Sequence, residues 1–141
     1  MKVITIIMPK IFLGGTCAST TWRDELIPKL SIEFFNPVVA DWTPEAQQEE
    51  INQRETCDFV LYALVPEAMS GVYSIAEVID DSNKRPEKTI LCILGNASDE
   101  GMSRSLNAVA AMALKNGAKV FHNLDEVASF VNGNPHEKRF V

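Results

Sequence analysis

The stretch "DFVLYALV" (residues 58–65) sets seven hydrophobic residues after a single acid. A strand with one wet face alternates polar and apolar side chains, and this one does not. It therefore reads as the central strand of a parallel sheet covered by helices on both sides. Comparable runs flank it: "KIFLGG" (10–15) and "EFFNPVV" (33–39) before it, "KTILCIL" (88–94) and "AKVF" (118–121) after it. Asn36-Pro37 interrupts the second of these.

Helical patterns lie between the runs. "TTWRDELIPKL" (20–30) takes Ser19 or Thr20 as its N-cap, and Pro28 should kink or end it. Thr43-Pro44-Glu45 is a helix start, with a capping hydroxyl, proline at the first position and then an acid. That helix runs to about Cys57, with Glu50 and Arg54 one turn apart and spaced to pair. "SIAEVIDDSN" (74–83), "SLNAVAAMALKNG" (105–117, closed by Gly117) and "LDEVASFVNG" (124–133) complete the set, and "GNASDEGMS" (95–103) reads as loop. Five strands alternating with helices imply an α/β, flavodoxin-like, five-stranded parallel sheet with helices on both faces. We expect a single domain over 1–141, with a strand extension at 1–9 and a tail at 134–141.

With 141 residues, such a domain buries roughly 68–70% of its unfolded surface without staples. The net charge of -6 argues against a polymeric nucleic acid as partner, which needs a basic stripe, but not against a single nucleotide. Cys17, Cys57 and Cys92 are odd in number and form no C-x-x-C pair, so neither a disulfide framework nor a structural zinc site is expected. A reducing, cytoplasmic setting is the simplest reading. The opening "MKVITIIMPK" is far shorter than the roughly 20 apolar residues that span a bilayer, so no membrane association is expected.

Ligands of such sheets bind beyond the carboxyl ends of the strands, here the loops 14–19, 36–43 and 66–74. No G-x-G-x-x-G, P-loop lysine or G-x-S-x-G motif is present, and His122 and His136 are not spaced as ligands. No metal or cofactor is expected. Glu77 stands one turn inside the helix from Ser74, where the helix dipole favours an ionised carboxylate fit for nucleophilic or base chemistry. Ser74-x-x-Glu77 is equally a capping box, with the Glu closing back on the Ser. Asp58 opens the central strand at its far end and reads as structural, whereas Asp41 lies on the cleft side beside Trp42. Trp42 is either a stacking wall for a planar base or a hydrophobic plug, and Arg23 either binds a phosphate or pairs with an acid of its own helix.

Together "KIFLGGT..STTWRDELIP", "FFNPVV.DW", "EEINQRETCDFVLYAL" and "MSGVYSIAEVIDDS" resemble the nucleoside 2-deoxyribosyltransferase-like family, from residue 10 to about 125. The resemblance implies a cleft for a nucleoside or nucleotide and cleavage of an N-glycosidic bond by a glutamate nucleophile, matched here by Glu77. It implies a second acid from the region before the third core strand, where Glu49, Glu50 and Asp58 stand, with Asp41 from the preceding loop as the preferred choice. Ser70 occupies the place of a sugar-binding aspartate, as in relatives that hydrolyse deoxynucleoside monophosphates, and the spacing from Gly71 to Glu77 is longer than in the best-known members. In those relatives small hydroxyl residues and an arginine after the first strand hold a 5′-phosphate. The matching positions make Gly14, Gly15, Thr16, Ser19, Thr20, Arg23, Trp42, Ser70, Gly71 and Tyr73 the expected substrate-binding set. The family also implies a homo-oligomer. The alternative is a non-catalytic nucleotide-binding module on the same scaffold, favoured if Glu77 folds back as a cap with no acid partner.

Overall fold

The computed structural model describes residues 6–17, 19–133 and 139–140. Five parallel strands, β2 (Lys10–Gly15), β3 (Glu33–Phe35), β4 (Phe59–Leu64), β5 (Thr89–Ile93) and β6 (Lys119–Phe121), pair in the order β3-β2-β4-β5-β6. A separate antiparallel pair joins β1 (Ile6–Ile7) to β7 (Arg139–Phe140). The main order is the flavodoxin-like one, and its direction reverses between β2 and β4.

The apolar-on-both-faces reading holds at β4. Leu61 and Ala63 join Ile11, Leu13, Ile90 and Cys92 under α1 (Trp22–Leu26) and α5 (Leu124–Asn132). Val60, Tyr62 and Leu64 join Phe12, Leu91 and Ile93 under α3 (Tyr73–Lys84) and α4 (Glu100–Asn116). The remaining helix, α2 (Pro44–Thr56), buries no residue of its own. It is polar all round and leans on local devices: the Thr43 hydroxyl caps Ala46 N–H at 3.0 Å, and Gln48–Asn52 and Gln53–Glu49 pair along it at 3.0 and 2.9 Å.

Several expected boundaries move. The first helix spans only Trp22–Leu26, with Thr21 rather than Ser19 or Thr20 at its N-cap, and Pro28 converts its continuation into a 3-10 turn. β3 ends at Phe35, just before Asn36-Pro37. α4 begins at Glu100, inside the expected loop, since Asp99 caps Met102 N–H at 2.8 Å. Within the expected tail, residues 139–140 pair with β1. Residues 1–5 and His136 lie outside the described residues. All three cysteines are free, and among the described residues no helix is long and apolar enough to cross a membrane.

β2 can reach the centre of the sheet only because it ends in glycine. Gly15 sits at φ +121°, and a Cβ there would stand 2.1 Å from the Ala63 carbonyl oxygen of β4. Both the backbone conformation and the contact exclude a side chain. Gly15→Ala should cost on the order of 3 kcal/mol, read as a lower denaturant midpoint; an unchanged midpoint would contradict this packing.

Candidate active site

A cleft of about 390 Å³ opens at the carboxyl end of β2, beside the point where strand order reverses. That volume lies within the usual range for small-molecule sites. Gly14, Gly15 and Arg23 line one part, the loop from Pro37 to Trp42 another, and Glu50, Tyr73, Ser74 and Glu77 the rest. Trp42 and Tyr73 are 60% and 70% exposed, so two aromatic faces stand free at this cleft. Trp42 is thus no hydrophobic plug.

Glu77 is placed by α3, and its side chain is 9% exposed. It does not close a capping box. α3 starts one residue earlier than expected, at Tyr73, with Val72 at the cap position and no side-chain cap bond. Glu77 instead faces α2, where Arg54 Nη1 lies 3.4 Å from its Oε2. That oxygen is buried and has no hydrogen-bond partner. The expected effect of the helix end on its charge is also reversed. Burial pushes the Glu77 carboxyl up to about 7; Arg54 pulls it down, and the charges of Glu50 and Asp81 push it up further. Glu50 is raised too, chiefly by burial, with Arg54 pulling it down.

Arg54 escaped notice as a site residue because its spacing to Glu50 suggests a solvated pair on one helix. Its partners are on α3. Nε and Nη2 fork onto Asp81 at 3.3 and 3.2 Å, and Nη2 lies 3.8 Å from Asp80. Asp81 is fully buried and also accepts Tyr62 O–H at 2.5 Å and Arg85 Nε at 2.9 Å. The polar residues within the apolar β4 and α3 patterns, Tyr62 and Asp81, were the available signal.

The other expected residues divide. Asp41 is exposed and does not line the cleft, whereas Glu50 does. Asp58 is structural: its Oδ2 accepts Lys10 N–H at 2.9 Å. The Thr16 hydroxyl accepts Val65 N–H at 3.1 Å, and Thr20 donates to the Thr16 carbonyl at 3.1 Å. Ser19, an exposed residue at φ +52°, does not line the cleft either. Ser70 and Gly71 line an adjoining cavity of about 260 Å³ that shares Gly15, Cys17, Tyr73 and Ser74 with the cleft. Arg23 pairs with no acid of its helix. It is buried, stacks on Trp22 at 4.2 Å, and donates to the carbonyls of Leu13 and Thr16, both at 3.0 Å. Among the described residues no carboxylate balances its charge, though it lines the cleft.

A family model described as nucleoside 2-deoxyribosyltransferase like matches residues 8–96. The chain belongs to that family. The matched span contains every residue that lines the cleft, and membership implies a nucleoside as the bound substrate. No curated protein and no solved structure matches.

The raised Glu77 carboxyl has a thermodynamic consequence. A group whose folded pKa lies above its unfolded value adds stability that is complete below about 4.5 and is lost as pH rises through about 7. Glu77→Gln removes that loss. Its melting temperature should therefore gain on the wild type as pH goes from 5 to 8; parallel curves would show an unperturbed carboxyl.

Proposed function

We propose that the protein cleaves the N-glycosidic bond of a deoxynucleoside or its 5′-monophosphate, with Glu77 as nucleophile and Glu50 as general acid and base. The observation that carries this reading is the carboxyl pair: Glu77 and Glu50 line the same cleft, and burial raises both of them. A glycosidic double displacement needs one ionised and one protonated carboxyl. Glu50 takes the acid role in place of Asp41 because only Glu50 lines the cleft.

In the first step the Glu77 carboxylate attacks the anomeric carbon while the C–N bond to the base breaks. Glu50 gives its proton to the departing nitrogen. The product is a glycosyl ester on Glu77. In the second step Glu50 takes a proton from water, or from the N–H of an incoming base, as that nucleophile displaces Glu77. Trp42 and Tyr73 offer stacking faces for the base. The unbalanced Arg23 cation supports an anionic 5′-substituent at the β2 end of the cleft. Val38, Val39 and Val72, all exposed, support the self-association that the family resemblance implies.

The test is base release from a panel of nucleosides and nucleoside monophosphates, followed by chromatography with and without free adenine. Glu77→Ala should lower release at least about 10³-fold, and Glu50→Gln by about 10²–10⁴-fold. Activity should peak while the pair holds a single proton, and fall as pH rises past about 7, where Glu77 loses it. New nucleosides in the presence of adenine would mark transfer. No turnover across the panel, with a nucleotide still raising the melting temperature, would replace this reading with a binding module.

A further inference from the structure

The carboxyl pair poses a problem that the chain's other charges resolve. Burial raises both carboxyls, Glu77 to about 7, so below neutrality Glu77 holds a proton. The reaction needs the opposite arrangement, with Glu77 ionised and Glu50 protonated. Something must favour charge on Glu77 at small cost, and the one cation within ion-pair distance of it among the described residues is Arg54.

We propose that Arg54 is the positioning residue of this site: gripped by Asp81, it aims Nη1 at Glu77 and so lets the proton cross to Glu50. The proposal rests on the roles given above to Glu77 and Glu50. Its geometry is specific. A guanidinium is planar, so fixing Nε and Nη2 on the two oxygens of Asp81 also fixes the direction of Nη1. Asp81 is itself held, by Tyr62 O–H on the sheet and Arg85 on its own helix. Among the described residues Arg54 donates hydrogen bonds through Nε and Nη2 alone, and its Nη1 lies 3.4 Å from the unpartnered Glu77 Oε2. At 3.4 Å the contact has room to tighten once Glu77 is ionised.

The surrounding charges fit a single mobile proton. Glu77 is faced by Glu50 and Arg54 from α2, by Asp81 from α3 and by Tyr62 from β4, and Arg23 and Cys17 line the same cleft. Within the ion-pair cluster, the carboxyls of Glu50, Glu77, Asp80 and Asp81 meet the cations Arg54, Lys84 and Arg85. Acids exceed bases by one, and one proton on the Glu50–Glu77 pair restores the balance.

The decisive readout needs no substrate. Carbon-13 NMR of glutamate-labelled protein follows the Glu77 carboxyl, assigned by its absence in Glu77→Gln. In Arg54→Gln its midpoint should rise by about one unit or more from about 7. A one-unit rise makes ionised Glu77 about tenfold rarer at a given pH. Under turnover, kcat should then fall at least about tenfold with KM little changed, while the alkaline limb of activity moves up in pH. A slower enzyme whose alkaline limb moves up is a signature that general loosening of the fold does not give. An unmoved midpoint in folded Arg54→Gln would overturn the proposal, even if the enzyme is slower. Should Arg54→Gln not fold, Arg54→Lys keeps the charge without the fork; it should hold the midpoint near 7 yet lose kcat about tenfold, and wild-type kcat there would overturn the proposal. Because the titration is independent of turnover, a protein inactive on every nucleoside would refute the catalytic reading and leave the titration of Glu77 to decide the role of Arg54.

Discussion

The Asp81 carboxylate, fully buried and bonded to Tyr62, Arg54 and Arg85, is the contact on which the cleft depends. Four of the five helices dock by burying apolar side chains against the sheet, but α2 buries none. What ties it to α3 is the fork from Arg54 to Asp81. Breaking one partner of a buried pair leaves an uncompensated charge and typically costs about 3–5 kcal/mol. The same contact therefore holds a helix in place and sets the distance between Glu50 on α2 and Glu77 on α3.

That placement explains why the two carboxyls behave as they do. Glu77 sits near a helix N-terminus, which alone would favour its charge by a few tenths of a kcal/mol to about one. Burial outweighs this and drives it upward, with the negative neighbours Glu50 and Asp81 adding to the rise. Arg54 opposes them and keeps the group titrating near neutrality. A carboxyl so poised serves as a nucleophile only if its partner can hold the proton, and Glu50 lies where it can.

The fold was legible because its signals are local and strong. The unbroken apolar run of β4, the glycines ending β2 and the Thr43-Pro44 start of α2 each act within a few residues, and each appears where expected. Boundaries shifted at short-range stops and caps, as where Pro28 turns the end of α1 into a 3-10 turn and Asp99 starts α4 inside the expected loop. The position of the cleft and its lining by Glu77, Trp42 and Tyr73 could be read from strand order and family resemblance. The choice between Asp41 and Glu50 was not legible, since only the folded chain shows that Glu50 lines the cleft and Asp41 does not. Arg54 and Asp81 were hidden because they stand 27 residues apart in sequence. Spacing along one helix offers no hint of such a pair, and Glu50 is a misleading neighbour at the right interval.

The central claim is that Glu77 forms a covalent bond to the sugar. A deoxynucleoside analogue with fluorine at the 2′ carbon tests it most directly, because the fluorine slows breakdown of a glycosyl ester so that it accumulates. Mass spectrometry of the intact protein, followed by peptide mapping, would locate it. The account predicts one added fluorosugar, on the peptide carrying Glu77, discharged by water or by a free base. Base release from the same analogue with an unmodified protein, or an adduct on any other residue, would contradict it.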